Sequence, residues 1–327
     1  MKFDWRSVGV MNSYKIVFMG TPEFAVPVLK VLMEGQDQVV AVVTQPDRPR
    51  GRGRKLKPSL IKVLAEKAGI AVLQPEKARS PEFLSQVRDL DPDLLVVAAY
   101  GQILPQELLD IPRIMPINLH GSLLPEYRGA APIQWAIIQG DTETGITIMK
   151  MDAGMDTGPM LLQKALTIGP EETFGELYER MAGLGAGLLV QALDELHKGT
   201  LKPRSQPEEG ISYASPIKPE MARLDWSQPA RSISCMVRAL DPRPGAYTLW
   251  NDQRLRLYMP FVLDMDAMDM EPGTVCRVGE DGVVVAAGKG CLGIREVQWP
   301  GKRRMPCAEF LRGRPIPVGA RFESQED

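Results

Sequence analysis

The 327-residue chain predicts an α/β protein in two parts, a doubly wound sheet flanked by helices and then a small β-barrel. Three observations predict this. Short apolar runs alternate with longer amphipathic ones through the first 200 residues, a Pro- and Gly-bearing polar stretch interrupts the pattern near 200–219, and short alternating segments with Gly-rich turns follow.

Apolar runs at 15–19 (KIVFM), 39–43 (VVAVV) and 94–98 (LLVVA) read as strands buried on both faces, as parallel strands between helices are. Helical spacing occupies 24–33, 59–67 and 81–90. Ser59 and Ser80 stand where an N-cap oxygen takes up a free backbone N–H. Alternation of the two implies a parallel sheet wrapped by helices. Segments 114–119 and 146–149 add strands, 130–138 adds a helix, and a long helix at 174–197 closes this half. Pro203, Pro207, Gly210, Pro216 and Pro219 then sit among polar residues, which is linker composition. Beyond come a helix at 231–240 and strands at 246–250, 255–261, 274–278, 282–286 and 292–297. Many short strands suit a small barrel, the oligonucleotide-binding barrel being one candidate. The expected division is a loose extension at 1–13, one domain at 14–200, a linker at 201–219 and a second domain at 220–327.

Composition narrows the function classes. Apolar residues make up 44% and charged residues 24%, ordinary values for a folded globular chain. No 18-residue apolar run is present, so no membrane span is expected. Lys2, Asp4 and Arg6 interrupt the first 13 residues, which therefore do not read as a secretory signal. Cys235, Cys276, Cys291 and Cys307 lack C-x-x-C spacing and read as reduced thiols of a cytoplasmic protein. With two distant histidines they suggest no metal site. The net charge of −2 means that nucleic-acid binding would need a local basic patch. Residues 46–58 (PDRPRGRGRKLKP) form one, with Arg48, Arg50, Arg52, Arg54, Lys55 and Lys57 against the single acid Asp47. A solvated flexible loop and a phosphate-holding loop both fit that pattern.

After the first strand, GTPEF at 20–24 replaces the G-x-G-x-x-G turn of dinucleotide-binding units, which disfavours a nicotinamide enzyme. No P-loop is present either. His197 ends the long helix, where a cation suits the helix terminus and solvent is the expected surrounding. His120 instead ends an apolar strand, the place where open α/β sheets bind ligands. Asn118 precedes it by two residues, on the same side of the strand. Composition alone leaves His120 open between structure and chemistry. The same holds for Asp156 in the acidic turn MDAGMDTG (151–158), which is either an Asx-turn or a delivered carboxylate, and for SLLPEYRG (122–129), a surface loop or a ligand clamp.

Taken together, INLHGSLLPEYRGAAP (117–132), TGITIM (144–149) and DAGMDTG (152–158) resemble the methionyl-tRNA formyltransferases of the folate-dependent formyltransferase superfamily. The likeness extends to VFMGTPEF (17–24), TQPDRP (44–49), AYGQILP (99–105), LDW (224–226) and RALDPRPGA (238–246), so it covers about 14–320. Met115, Pro116, Arg243 and Pro216 depart from the family pattern. The resemblance implies a Rossmann-like catalytic domain joined to a barrel of the oligonucleotide-binding type. It implies transfer of a formyl group from 10-formyltetrahydrofolate to the α-amine of methionyl-initiator tRNA, in the cytoplasm and without a metal. Asn118, His120 and Asp156 are then the catalytic set. Ser122, Leu123, Leu124 and Pro125 contact the folate, flanked by Tyr100, Gly101 and Gln102. The basic loop enters the acceptor end of the tRNA, with Arg52 foremost.

Two other classes remain in view. A formyltransferase for glycinamide ribonucleotide would not need the domain after Pro219, and one for a nucleotide amino-sugar commonly carries a second domain with a dinucleotide fingerprint, which is missing. A non-catalytic RNA-binding protein would suit the barrel and the basic loop but not three chemically matched groups. A monomer is the default, since no coiled coil is readable.

Overall fold

A computed structural model of the chain describes residues 13–50, 55–263 and 270–324. In order, the elements are β1 Lys15–Gly20, α1 Ala25–Glu34, β2 Gln38–Val43, β3 Arg48–Arg50, β4 Lys55–Lys57, α2 Leu60–Lys67, β5 Ala71–Leu73, α3 Pro81–Asp89, β6 Leu94–Ala98, α4 Gln106–Leu109, β7 Met115–His120, β8 Arg128–Gly129, α5 Pro132–Gln139, β9 Glu143–Lys150, β10 Met160–Thr167 and α6 Phe174–His197. Then follow β11 Tyr213–Ala214, α7 Ala230–Ala239, β12 Tyr247–Trp250, β13 Gln253–Leu263, β14 Val275–Gly279, β15 Gly282–Ala286, β16 Cys291–Gln298, β17 Met305–Pro306 and α8 Cys307–Gly313.

The chain forms two compact units that interleave in sequence. One takes the chain through Gly129 with Gly145–Leu166 and Tyr178–Tyr213, the other Ala130–Thr144, Thr167–Leu177 and the described residues from Ala214 on. The first is built on a seven-stranded sheet ordered β10-β9-β7-β6-β1-β2-β5. Parallel pairing joins β5, β2, β1, β6 and β7, as the alternation of apolar runs and helices predicts. Val17, Met19, Val43, Leu95 and Val97 pack on one face with Phe83 and Val87 of α3 and Leu108 of α4. Burial of such side chains is the main stabilising term, at about 1.5–3 kcal/mol each. Ser59 and Ser80 do cap α2 and α3, their oxygens accepting from Lys62 N at 3.1 Å and Phe83 N at 3.3 Å.

The sheet departs from a parallel one beyond β7. β9 runs antiparallel to it, with His120 opposite Thr147 and Ile117 opposite Lys150. The chain therefore leaves β9 beside the start of β7, where Met151 N donates to Pro116 O at 3.0 Å. To reach the His120 end of β7, the loop that follows must fold back. α6 lies close on the same strand: a Cβ on Gly185 would stand 2.9 Å from Leu119 Cδ2, so the glycine permits the approach.

His197 is not solvated as its helix-end position suggests. Its Nε2 lies 2.9 Å from Asp37 Oδ1, its ring stacks on Tyr14 at 4.1 Å, and its side chain is 11% exposed. Asp37 Oδ1 also accepts from Tyr14 N at 2.8 Å. The last turn of α6 thus packs where the chain enters β1 and β2, and a polar ring buried there needs its carboxylate partner.

The second unit holds an antiparallel sheet ordered β12-β13-β16-β15-β14, with β17 on β16, as short alternating segments predict. Its edges are linked by the C-terminal stretch, since Glu323 bridges Leu249 and Arg321 bridges Thr274. This covers edges that would otherwise expose unpaired backbone groups. Trp226 is fully buried in its core with Val237, Leu255, Leu257 and Ile294, and its Nε1 donates to Thr248 Oγ1 at 3.1 Å. No described helix is long and apolar enough to cross a membrane.

Candidate active site

Asn118 and His120 alternate on one side of β7 and meet Asp156 from the loop after β9. Asn118 Nδ2 donates to Asp156 Oδ1 at 3.5 Å, and His120 Nδ1 stands 3.5 Å from Asp156 Oδ2. The carboxylate is fixed by a shorter bond, from Gly129 N to Oδ2 at 2.9 Å. His120 is 5% exposed, and its Nε2 lies 2.9 Å from Tyr127 O. A carbonyl oxygen only accepts, so in this pair Nε2 carries the hydrogen. Nδ1 is then the nitrogen turned to the carboxylate. The three sequence-predicted groups converge, and they converge on the Asp156 carboxylate.

The fold-back of residues 151–159 explains the residue types in that loop. Asp152 Oδ1 accepts from Gly154 N at 3.1 Å and Thr157 Oγ1 at 2.7 Å, an Asx-turn. A Cβ on Gly158 would overlap the Lys150 carbonyl oxygen. Asp156 itself has φ of +53°, the left-handed region that a branched side chain avoids and Asp tolerates. The Asx-turn and the delivered carboxylate are therefore the same loop, on different residues.

The loop at 122–125 is held from below. Thr147 Oγ1 donates to Ser122 O at 2.7 Å and accepts from Leu124 N at 3.1 Å. Gln163 Nε2 donates to Leu124 O at 2.9 Å and Thr147 Oγ1 at 3.0 Å, and Ser122 Oγ to Glu126 O at 2.6 Å. Leu124 is buried with Met149 and Met160, while Leu123 and Pro125 are half-buried. Sequence reading missed Thr147 and Gln163. The signal for Gln163 was a lone amide in the apolar strand MLLQKALT.

The loop after β6 leaves the same sheet edge as the loop after β7, because the two strands are parallel neighbours. Tyr100 and Gln102, however, are engaged within the protein itself. Tyr100 is 2% exposed in the apolar core, and burial pushes its hydroxyl up to about 12. Gln102 Oε1 accepts from Ala78 N at 2.8 Å and Nε2 donates to Glu76 O at 3.2 Å, so its amide ties down residues 76–78. What this loop offers a ligand is its backbone and Gly101, which sits at φ of +87°.

The basic segment is a hairpin: β3 and β4 pair antiparallel, Arg48 opposite Lys57 and Arg50 opposite Lys55. Arg48 and Lys57 are exposed, and Arg48 Nη2 reaches Gln45 Oε1 at 3.5 Å. Arg52 and Arg54 lie outside the described residues, as do the side chains of Arg50 and Lys55. Asp47 anchors the stem, its carboxylate 2.8 Å from Lys62 Nζ and 2.8 Å from Gln74 Nε2. Those hydrogen bonds, Lys62 first, hold its carboxyl below the usual range. The hairpin springs from the carboxyl end of β2, three strands from β7, which at ~4.8 Å per strand is about 14 Å.

The profile of the family described as Formyl transferase matches residues 14–193, and that of Formyl transferase, C-terminal domain, matches 216–315. The chain is 49% identical over 312 residues to a methionyl-tRNA formyltransferase of Geobacter metallireducens, covering 95% of this chain and 99% of that one. It is 49% identical over 305 residues to that of Desulfotalea psychrophila, covering 93% and 94%. Among solved structures, the N-formyltransferase of Helicobacter canadensis, in complex with folinic acid and dTDP-3-aminofucose, aligns with a TM-score of 0.63 and 18% identity. That alignment covers 88% of this chain and 99% of the other, and shows a shared fold.

Proposed function

The chain belongs to the formyl transferase family, on the branch of the methionyl-tRNA formyltransferases, and we propose that it moves the formyl group of 10-formyltetrahydrofolate onto the α-amine of methionyl-tRNA. The meeting of Asn118, His120 and Asp156 at the end of β7 supports formyl transfer to an amine, and the 49% identity to a methionyl-tRNA formyltransferase over 95% of the chain supports the acceptor. The reduced folate supplies the activated formyl group. Leu123 and Pro125 offer half-buried apolar surface for its flat ring, and the backbone around Gly101 offers hydrogen bonds, so the residues present fit such a ligand.

When an amine attacks a formyl carbon, negative charge develops on the formyl oxygen, and donors aimed at that oxygen lower the barrier. Asn118 Nδ2 is one donor, and His120 Nδ1 is the other when the ring carries a hydrogen on both nitrogens. Their distances to Asp156 are both 3.5 Å, long enough to be exchanged for a substrate oxygen, whereas the Gly129 bond at 2.9 Å keeps the carboxylate in place. Catalytic hydrogen bonds of this length tighten once substrate arrives. Asp156 orients the imidazole; as the bond from the formyl carbon to the folate nitrogen breaks, His120 Nδ1 passes its proton to that departing nitrogen, and the attacking amine, now bonded to the formyl carbon, releases one proton to solvent. The amine needs no covalent help, since model α-amino groups titrate near pH ~8 and a fraction is neutral at physiological pH.

We assign catalysis to residues 14–200 and tRNA binding to 220–327 together with the hairpin at 48–57. Initiator tRNA is charged in the cytoplasm, so the reaction belongs there, with the chain acting as a monomer. The test is direct. The purified chain, given 10-formyltetrahydrofolate and methionyl-tRNA, is expected to yield N-formylmethionine on the tRNA, and a folded preparation that yields none overturns the reading.

A further inference from the structure

The stretch expected to be a linker sends two residues into the catalytic loops. Gln206 Nε2 donates to Asp156 O at 2.7 Å and to Gly158 O at 2.8 Å. Its Oε1 accepts from Arg128 Nε at 3.1 Å and Nη2 at 2.6 Å. Ser212 holds the other loop, its Oγ accepting from Tyr127 N at 2.8 Å and its carbonyl from Arg128 N at 2.9 Å.

Two features set this arrangement apart from ordinary loop packing. Arg128 is 7% exposed, and among the described residues its guanidinium is paired with the neutral Gln206 amide and with no carboxylate. Burying that charge is costly unless it is hydrogen-bonded, and Gln206 Oε1 supplies two of its bonds. The carbonyl of Asp156, which Gln206 grips, belongs to a residue at φ of +53°. Asp tolerates such a conformation without favouring it over the right-handed one, so a bond to its carbonyl helps to keep the loop there. The neighbour of Arg128, Gly129, holds the same residue by its carboxylate.

We propose that Gln206 is a positioning residue for catalysis: its amide fixes the backbone of Asp156 and, through Arg128, locks the 151–159 loop to the 127–129 loop. That second loop includes the Tyr127 carbonyl that accepts from His120 Nε2. One side chain thus sets the spacing between the carboxylate and the imidazole. The inference rests on the assignment of Asp156 to the reaction.

The test compares steady-state formylation by Gln206→Glu, Gln206→Ala and Asp156→Asn. Gln206→Glu keeps the size and gives Arg128 a charged partner, yet puts an acceptor oxygen against two carbonyls. A displacement of about 1 Å in a catalytic group costs on the order of 100-fold, so kcat is expected to fall about 10- to 100-fold in both Gln206 variants. KM for methionyl-tRNA and for the formyl donor should stay within about twofold, as for loss of an interaction used at the transition state. A purely structural role would lower the melting temperature and leave kcat alone. If Gln206→Ala does not fold, Gln206→Glu decides. Wild-type kcat in Gln206→Glu beside an inactive Asp156→Asn overturns the positioning role and leaves the site assignment standing. An active Asp156→Asn overturns both.

Discussion

His120 and Asp156 face each other across 3.5 Å, Nδ1 to Oδ2, while the same carboxylate oxygen rests on the Gly129 N–H at 2.9 Å. The carboxylate is thus held by the backbone and shared with the ring, which is the arrangement that orients an imidazole without immobilising it. Loss of one donor to a developing oxyanion typically costs on the order of 100-fold or more in turnover. Asn118→Ala, His120→Ala and Asp156→Ala are each expected to lose that much in a formylation assay while keeping the wild-type circular-dichroism spectrum. Near-normal turnover by His120→Ala would remove it from the chemistry.

How much of this is legible in the sequence differs by residue. Asn118 and His120 are readable as a pair because the period of a strand is two, and one apolar run carries both. Asp156 is readable as a loop carboxylate, but its arrival depends on β9 running antiparallel and on a fold-back that no local pattern announces. Gln206 lies 50 residues from the backbone it holds, in a stretch whose prolines read as a linker. The burial of His197 is hidden for the same reason: its partner Asp37 is 160 residues away, and the local sequence shows only a polar helix end. The basic segment reads as a loop because its glycines and arginines conceal the pairing of Arg48 with Lys57.

The Thr147 hydroxyl serves Ser122 O, Leu124 N and Gln163 Nε2 beneath the loop assigned to folate. Thr147→Val keeps the shape and strands buried backbone groups, at about 1–3 kcal/mol. The expected outcome is a several-fold rise in KM for the formyl donor, roughly 5- to 10-fold, with KM for methionyl-tRNA unchanged. An unchanged donor KM would separate that loop from the folate.

The hairpin predicts a salt signature. Removing one phosphate-binding side chain should make the slope of log affinity against log salt shallower by roughly one. Arg52→Ala, and replacement of residues 50–54 by Gly and Ser, are expected to weaken methionyl-tRNA binding with that change in slope and to leave folate binding intact. Lys62→Met, which frees Asp47 at the stem, should weaken tRNA binding without touching a phosphate and leave the slope as it is. Equal slopes for wild type and all variants would return the hairpin to a solvated role.

Stability away from the site has its own pH dependence. At the start of α6, Thr173 N and Oγ1 donate to Glu176 Oε2 at 2.9 and 2.7 Å, and Glu176 N returns a bond to Thr173 Oγ1 at 3.4 Å. The bond from the Thr173 backbone, then that from its hydroxyl, lowers the Glu176 carboxyl below its ordinary value. A depressed carboxylate stabilises above its unfolded value and loses that stabilisation as pH falls through its folded one. Glu176→Gln is therefore expected to cost about 0.5 kcal/mol near neutral pH, at the low end for a helix cap because Glu176 is exposed. The difference should shrink as pH falls below the ordinary glutamate range and vanish only beneath the lower folded value, in denaturant titrations. A difference that persists there would mean that the charge is irrelevant.

The central claim concerns the acceptor, because the catalytic groups alone fit any formyl transfer to an amine. The decisive measurement gives the purified chain radiolabelled 10-formyltetrahydrofolate with methionyl-tRNA, glycinamide ribonucleotide or a nucleotide amino-sugar in three parallel reactions. Label is expected on methionyl-tRNA alone and is expected to disappear with Asp156→Ala. Label on the ribonucleotide or the sugar, with none on the tRNA, would contradict the account.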